Sequence, residues 1–281
     1  MHEILARDIL APDIVRFWID APHIARKRLP GQFVIIRISE TGERIPLTIA
    51  DADTRHGAIA LVVQGVGKTT RQLNSLTVGD RVLDVAGPLG RPTRIEPHRR
   101  VCCIGGGIGA AVAYPIAAGF KARSGKVTAI LGGRTRELVI LERELRAVAD
   151  RLEVTTDDGS YGRPGLVTDA LLQLLAEGYE FDEIVAIGPL PMMRAVCELT
   201  RPLGLPTIVS LNPIMVDGTG MCGGCRVTVA GESKFVCVDG PEFDGHQVDF
   251  AELAERLTAY REQEHAAAVR YHQGACASSG G

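Results

Sequence analysis

A short glycine- and cysteine-rich segment constrains the fold more than any other part of this sequence. The segment is Asp217-Gly-Thr-Gly-Met-Cys222-Gly-Gly-Cys225, and Cys237 follows on the second strand of a predicted hairpin. Its glycines can adopt positive φ, so the backbone can wrap closely around an iron-sulfur cluster. The backbone amides are then free to donate hydrogen bonds to the inorganic sulfide of that cluster. The spacing suits a 2Fe-2S centre, with Asp217, Cys222, Cys225 and Cys237 as its four potential ligands.

Two alternatives compete with this interpretation of the cysteines. A structural zinc ion could take the C-x2-C pair, the later Cys237 and Asp217 as its four ligands. Three buried thiols without a metal would not require so many glycines. The chain has 7 cysteines, an odd and clustered set that favours metal binding in a reducing compartment over a disulfide framework. Of the other four cysteines, Cys102, Cys103 and Cys197 are predicted to be thiols of the core, and Cys276 is predicted to have no role.

The order of strand and helix patterns predicts the domain organisation of the 281 residues. Apolar β-branched runs separated by turns come first, and strands alternating with helical stretches follow. We predict α/β plus all-β architecture with four parts: an antiparallel β-barrel (1–97), a doubly wound parallel α/β domain (98–212), a cluster-binding hairpin (213–248), and a C-terminal helix and tail (249–281).

Composition excludes some classes of partner. A formal net charge of -3 and a pI near 6.2 give no general attraction to nucleic acid. No apolar run approaches the roughly 20 residues that cross a bilayer, so we expect no membrane insertion. The first residues lack the pattern of a signal peptide, and a cytoplasmic location is expected by default.

A second motif lies in the predicted barrel, where Arg44-Ile-Pro-Leu-Thr48-Ile places a cation and a hydroxyl around an apolar turn. If a flavin lies across it, Arg44 can neutralise the pyrophosphate and Thr48 can meet the isoalloxazine N5. An ordinary edge strand containing a proline is the alternative.

The third motif, Gly65-Val-Gly-Lys68-Thr69-Thr70, resembles a nucleotide-binding P-loop only superficially. A P-loop needs a glycine five residues before Gly67, and Val62 occupies that position inside a predicted strand. The remaining amide-rich, basic turn can hold a phosphate at a helix start, and the FAD pyrophosphate is the coherent candidate. The predicted FAD contacts are Arg44, Pro46, Leu47, Thr48, Val63, Gly65, Gly67, Lys68, Thr69 and Thr70.

The fourth motif is a glycine-rich turn, Gly105-Gly-Gly-Ile-Gly109, between the first predicted parallel strand and a helix. That context suits a dinucleotide, whose pyrophosphate meets the helix N-terminus. The next strand ends in Arg134 where the usual fingerprint has an acidic residue. Arg134 and Arg136 could take a 2′-phosphate or could be solvated surface charges.

Two further loops follow strands of the predicted sheet. They are Asp157-Asp158-Gly-Ser-Tyr-Gly162 and Gly188-Pro-Leu-Pro-Met192-Met193. Ligands of such sheets lie at the carboxyl ends of strands, so both loops are placed for nicotinamide and ribose; plain core packing is the alternative for the methionines. The predicted NAD(P)H contacts are Gly105, Gly106, Gly107, Gly109, Arg134, Asp158, Gly188, Pro189 and Met192.

With barrel, dinucleotide domain and cysteine hairpin in this order, residues 1 to 250 resemble the ferredoxin-NADP reductase superfamily. The chain is most similar to the branch that contains the electron-transfer subunit of type B dihydroorotate dehydrogenase and the small subunit of NADH-dependent reduced ferredoxin:NADP oxidoreductase. The dihydroorotate branch usually has four cluster cysteines, whereas Asp217 with three cysteines is similar to the bifurcating small subunit.

The resemblance implies FAD, a 2Fe-2S cluster and NAD(P)H as cofactors, and a larger FAD/4Fe-4S flavoprotein subunit as partner, with ferredoxin reached indirectly. It implies an oxidoreductase subunit in which hydride passes between NADH and flavin N5 beside Thr48, the predicted catalytic residue. Rival functions are a dihydroorotate dehydrogenase subunit, a reductase component for another iron-sulfur enzyme, and a redox-sensing or zinc-binding interaction protein without flavin.

Overall fold

The apolar, β-branched runs of the first 90 residues form one antiparallel sheet of seven strands, in the order β6-β1-β2-β5-β4-β3-β7. The computed structural model describes the backbone of residues 1–278 and the side chains of residues 1–271. This sheet is nearly closed and encloses a core that includes the fully buried Phe17, Ile36 and Leu61, which confirms the predicted barrel. Its elements are β1 (His2–Ala11), β2 (Ile14–Asp20), α1 (Pro22–Lys27), β3 (Phe33–Arg37), β4 (Arg44–Asp53), β5 (Ala58–Gln64), α2 (Lys68–Asn74), β6 (Arg81–Val82) and β7 (Asp84–Leu89).

The second unit is a parallel sheet with helices on both faces, as predicted. Its strand order is β11-β10-β9-β8-β12-β13, so the chain reverses direction across the sheet between β8 and β12. Such a switch point opens a crevice at the carboxyl ends of the strands. Its elements are β8 (Arg100–Gly106), α3 (Ala110–Ala122), β9 (Lys126–Gly133), α4 (Glu142–Val148), β10 (Arg151–Thr156), β11 (Arg163–Pro164), α5 (Val167–Ala176), β12 (Glu183–Ile187), α6 (Leu190–Thr200) and β13 (Thr207–Ser210).

The sequence pattern over Glu137–Asp150 predicts one crossover helix, and the helix in the structure is shorter. A 3-10 turn covers Arg136–Leu138, and the α-helix begins only at Glu142. Leu141 precedes it with φ 57°, a left-handed conformation that interrupts a continuous helix.

The cysteine-bearing part is a small hairpin of β14 (Arg226–Val229) and β15 (Glu232–Phe235), followed by the one-turn helix α7 (Val236–Asp239) and by β16 (Glu242–Asp244). The predicted second strand was wrong from Val236 onward, so Cys237 lies on α7 and not on a strand. The Asp239 carboxylate accepts a 2.8 Å hydrogen bond from the Phe235 amide and closes this turn. β16 then joins the edge of the parallel sheet, antiparallel to β13.

The helix-forming residues Asp249–Val269 predict a single helix, whereas the structure has two, α8 (Phe250–Arg256) and α9 (Arg261–Ser278). The Asp249 side chain caps α8 by accepting from the amides of Ala251 and Glu252. α9 lies beside α2, and Cys276 falls outside the described side chains. Among the described residues, we find no helix with both the length and the apolar character needed to cross a bilayer.

Candidate functional site

The barrel and the parallel sheet meet at an open cleft with a volume of about 160 Å³. It lies at the carboxyl ends of β8, β12 and β13, where the strand order reverses. It unites segments that the sequence suggested separately: Pro46, Leu47 and Thr48 from the barrel with Gly109 and Gly188 from the α/β domain. The remaining lining residues are Phe33, Val62, Ile108, Ala111, Val112, Ile187, Ser210, Leu211, Asn212, Met215 and Pro241.

The barrel wall of the cleft is the first half of β4. This strand pairs with β3 from Arg44 to Thr48 and with β5 from Ile49 to Asp53. Pairing therefore changes sides at Thr48, and the edge of the Arg44–Thr48 half that faces away from β3 is turned toward the cleft. β5 flanks only the Ile49–Asp53 half, so the Arg44–Thr48 half is a local edge of the sheet that borders the cleft.

The predicted phosphate cradle lies at the start of α2. The Thr70 hydroxyl accepts from the Gly67 amide at 2.9 Å and holds the turn. Lys68 lies 3.8 Å from the Glu43 carboxylate, and the Thr69 hydroxyl donates to the same carboxylate. An anionic group therefore already lies against the cation and the hydroxyl that we predicted for a phosphate. Gly65 continues the turn, and Val63 is buried at the end of β5.

The glycines of the dinucleotide motif allow two strand-end turns to touch. A Cβ on Gly109 would lie 2.2 Å from the Ile187 carbonyl oxygen, and one on Gly188 would lie 3.1 Å from the Gly106 Cα. Gly105 is equally tight, since its Cβ would lie 2.8 Å from the Ala110 Cα. Gly107 has φ 53° and open space around it. The turn is thus packed on one side and open on the other, as a backbone that approaches a ligand should be.

The loops that follow β9 and β10 are held together beside this turn. The Asp158 amide donates to the Arg134 carbonyl at 3.2 Å, and the Ser160 hydroxyl accepts from the Arg136 amide at 2.9 Å. The Asp158 carboxylate accepts from both the amide and the hydroxyl of Ser160, which lowers its pKa. Arg136 lies over the ring of Tyr161 at 5.2 Å. The Asp158 carboxylate and the Arg136 guanidinium therefore lie at this edge of the sheet, together with the backbone of Arg134.

Met192 and Met193 have different environments. Met193 is buried in the core, whereas Met192 covers the contact between Gly106 and Gly188. Pro189 precedes them as the residue before α6, and its carbonyl accepts from the amides of both methionines. Core packing therefore accounts for Met193, while Met192 closes the turn beside the cleft.

The four predicted cluster ligands form two pairs. The Sγ atoms of Cys225 and Cys237 lie 3.2 Å apart, and the Cys222 Sγ lies 3.5 Å from Asp217 Oδ1. Among the residues that the structure describes, no three His, Cys, Asp or Glu side chains surround one ion position. A single zinc ion needs four ligands at one point, whereas a 2Fe-2S cluster takes two at each iron, so this arrangement fits the cluster better.

The backbone of this segment suits an anionic centre. Gly218, Gly220 and Gly223 have φ of 74°, 89° and 67°, which glycine adopts without strain. The amides of Gly224 and Cys237 donate to the sulfurs of Cys222 and Cys225 at 3.5 and 3.4 Å. Such donors stabilise thiolates that ligate a metal.

Charge is distributed unevenly among these ligands. Hydrogen bonds from Thr219 and Cys222 lower the pKa of Asp217, which therefore stays a carboxylate. Burial, together with Cys225, raises the pKa of Cys237 to about 12.

The three thiols predicted to belong to the core, Cys102, Cys103 and Cys197, are buried. Burial raises the pKa of Cys102 and of Cys103, and it raises the pKa of Cys197 to about 12.

The cluster segment and the cleft are contiguous. Gly218 packs so closely on the barrel that an added Cβ would lie 2.8 Å from Ile35 and 2.9 Å from Leu89. Met215 lines the cleft. Sequence reasoning missed Asn212 and Pro241, although Asn212 directly follows the predicted parallel strand Thr207–Leu211 and could have been identified by that position.

A nearly closed antiparallel barrel, a parallel nucleotide-type sheet and a cysteine segment at their junction define a ferredoxin reductase-like flavoprotein with an iron-sulfur domain. Residues 2–93 match the family model of the oxidoreductase FAD-binding domain. Residues 212–249 match the iron-sulfur cluster binding domain of dihydroorotate dehydrogenase B. The chain belongs to the family of dihydroorotate dehydrogenase B electron-transfer subunits and their homologues, and it is an oxidoreductase subunit that binds FAD and an iron-sulfur cluster.

Three relatives illustrate the extent of the similarity. A Thermotoga maritima homologue of the dihydroorotate dehydrogenase B electron transfer subunit is 50% identical over 94% of this chain and 93% of its own. The corresponding subunit of Geobacillus thermodenitrificans is 35% identical over 87% of this chain and 96% of its own. A solved chain of NADH-dependent reduced ferredoxin-NADP oxidoreductase, a flavin-based electron-bifurcation system, superposes with a TM-score of 0.91 at 49% identity over 96% of this chain and 98% of its own.

Proposed function

We propose that this chain is the NAD(H)-side subunit of a ferredoxin:NADP oxidoreductase, passing electrons between NADH and a larger iron-sulfur flavoprotein. The observation that supports this most is the junction of three segments at one cleft, where Thr48, the Gly105–Gly109 turn and the chain leading into the cysteine segment meet. The similarity to the solved bifurcating enzyme extends over all three segments.

On this proposal, FAD lies against β4 and the start of α2. Bound FAD would take up a hydride as a two-electron unit and release electrons singly. Arg44 and Lys68 compensate the charge of the pyrophosphate, the Gly65–Gly67 turn and Thr69 and Thr70 supply polar contacts, and Pro46, Leu47 and Val63 form the apolar support. Thr48 lies where the strand changes pairing partner and offers a hydroxyl and an amide near flavin N5.

The NAD(H) dinucleotide would lie on the wall of the cleft that the α/β domain forms, opposite the barrel wall. Gly105, Gly106, Gly107 and Gly109 bring the backbone to its pyrophosphate, and Gly188, Pro189 and Met192 bound the nicotinamide end. Arg134 and Asp158 lie at the strand-end edge that holds the adenine ribose. These residues would orient the nicotinamide toward the barrel wall and exclude water from the cleft.

The cysteine segment would hold the 2Fe-2S cluster, which carries one electron at a time. Cys225 and Cys237 are each 1% exposed and provide the inner pair of ligands, while Asp217 and Cys222 provide the outer pair. The outer pair faces a surface on which Val216, Met221 and Val238 are 51%, 88% and 38% exposed. Apolar side chains that stand out around an electron exit are suited to a protein partner. We assign this surface to the larger FAD/4Fe-4S subunit.

The decisive experiment is anaerobic purification followed by absorption spectroscopy and analysis of iron, zinc and flavin. We expect flavin and two irons per chain, and bleaching of the flavin by NADH. Cys237→Ala should lose the iron and keep the flavin. The matched control Cys197→Ala removes an equally buried thiol from α6 and should keep both. A colourless protein after anaerobic reconstitution, or one containing zinc alone, would contradict the proposal.

A second candidate is the electron-transfer subunit of a dihydroorotate dehydrogenase, favoured by the match of residues 212–249 to that enzyme's cluster domain. The purified complex with its native larger subunit distinguishes the two. Reduction of NAD by dihydroorotate would support this second candidate. Reduction of NADP that requires both NADH and reduced ferredoxin would support the first, and activity with another iron-sulfur enzyme alone would indicate a general reductase component.

A further inference from the structure

A second cavity of about 330 Å³ lies further along the seam between the barrel and α3. The first turn of α3 lines the cleft described above, and the following turns line this cavity, opposite the other end of β4. None of the residues that we assign to FAD, NAD(H) or the cluster contributes to it. Its walls are Ala25, Arg26, Arg28, Pro30, Asp51, Ala52, Thr54, Tyr114, Pro115, Ala118 and Gly119.

Arg28 is the central polar group of this cavity. Its side chain is only 17% exposed, and its one hydrogen bond to the described residues runs from Nη2 to Asp51 Oδ1 at 3.2 Å. A guanidinium carries five N–H donors, so most of them have no protein acceptor here. Burial lowers the pKa of Arg28 even with Asp51 beside it. The remaining Arg28 N–H groups are not sealed from solvent, so they are available to an acceptor that enters the cavity.

Further donors face the same space. The hydroxyls of Tyr114 and Thr54 make no hydrogen bond with any described residue, and the exposed Arg26 guanidinium makes one side-chain hydrogen bond within the described part of the chain, to His23 at 3.5 Å. Burial raises the pKa of Tyr114, so its hydroxyl remains a donor. Asp51 is the one carboxylate in the wall, and its Oδ1 already accepts from Arg28 and from the Ala52 amide. Two guanidinium groups against one carboxylate leave a net positive cavity.

We propose that this cavity binds a small oxyanion-bearing molecule, a phosphate or a carboxylate on a compact body, through Arg28, Arg26, Tyr114 and Thr54. The alanine and proline walls accommodate the body, and the donors hold the anion. Because Tyr114 lies on α3, which begins directly after the Gly105–Gly109 turn, an occupied cavity fastens that helix to the barrel beside β4. The ligand therefore stabilises the arrangement of the two walls of the cleft.

Calorimetric titration of the FAD- and cluster-loaded protein with inorganic phosphate, and separately with malonate, tests the site. Saturating NAD⁺ is present throughout, so that the pyrophosphate sites are filled. We expect one anion site per chain. Arg28→Gln should weaken binding about tenfold or more, as loss of a charge-assisted pair does. Tyr114→Phe, which keeps the packing of α3, should weaken it severalfold.

The matched control is Arg55→Gln, which removes the same charge from the exposed β4–β5 turn outside the cavity and should leave affinity unchanged. Preference for phosphate or for malonate identifies the class of anion. Absence of binding of either anion to the wild-type protein, or equal binding by wild type and Tyr114→Phe, would overturn the proposal. Equal weakening by Arg28→Gln and Arg55→Gln would also overturn it, because it would indicate a general effect of charge.

Discussion

The backbone amide of Cys237 donates to the Sγ of Cys225 across 3.4 Å, and the two sulfurs lie 3.2 Å apart in a buried position. The other two predicted ligands, Asp217 and Cys222, form a second pair on the exposed side. The ligand set is therefore asymmetric: two thiols are shielded from water, and one thiol with one carboxylate is near the surface. Substitutions on the exposed side can change the electronic character of the site with little effect on the core.

Asp217→Cys tests that asymmetry. Thiolate donates more electron density to iron than carboxylate does, so the variant should keep the cluster and shift its midpoint to lower potential. Redox titration followed by electron paramagnetic resonance measures the shift. Asp217→Ala, which removes one of four ligands, should instead lower the iron content. An unchanged midpoint in Asp217→Cys would show that Asp217 is not a ligand.

Glu43→Gln tests the phosphate cradle at the start of α2. The Glu43 carboxylate pairs with Lys68 and accepts from Thr69, so it competes with a pyrophosphate for both groups. We expect FAD to bind roughly 2- to 5-fold more tightly to the variant, since an exposed ion pair contributes up to about 1 kcal/mol. Fluorescence titration of the apoprotein measures the affinity. Glu40→Gln, the same change at an exposed site nearby, should have no effect, and weaker binding by Glu43→Gln would contradict the assignment.

The parts of the site that could be predicted from the sequence are those that have a local sequence pattern. The Gly105–Gly109 turn sits between a strand and a helix that each have a clear local pattern, and the structure has it there. The residues Phe-Val-Cys-Val around Cys237 favour a strand, which is why the sequence predicts a strand there. In the structure the Asp239 carboxylate accepts from the Phe235 amide four residues earlier, and this local hydrogen bond closes a helical turn instead. Pro241 reaches the cleft through the antiparallel pairing of β16 with β13, a long-range contact with no local signature.

Gly109→Ala tests the close contact between the two strand-end turns. A Cβ at this position would lie 2.2 Å from the Ile187 carbonyl oxygen, so backbone must move. We expect the free energy of unfolding to fall by about 2–4 kcal/mol, with weaker NAD⁺ binding. Urea unfolding measures the loss. Gly67→Ala is the steric control, since its φ is −134° and an added Cβ meets nothing within 4 Å. Equal stability losses in the two variants would contradict the argument.

Glu242→Gln tests a carboxyl group at the junction of all three units. Glu242 lies on β16 and accepts a 2.6 Å hydrogen bond from the Thr93 hydroxyl, in the segment between the barrel and the parallel sheet. Burial is the main cause that raises the pKa of Glu242 to about 7, and the nearby Glu183 adds to it. The folded protein therefore holds a proton at this site between about pH 4.5 and 7, where the unfolded chain has lost it.

The sign of the resulting pH dependence follows from that proton. Because the folded state binds more protons in this window, the free energy of unfolding falls as pH rises from about 4.5 to 7. Gln keeps the acceptor for Thr93 and cannot ionise. Relative to wild type, Glu242→Gln should therefore be more stable at pH 8, by about 1–3 kcal/mol, and nearly equal at pH 4.5. Urea unfolding at both pH values measures the difference. Asp244→Asn, an exposed change on the same strand, should not reproduce it, and a difference between Glu242→Gln and wild type that is the same at both pH values would refute a titrating Glu242.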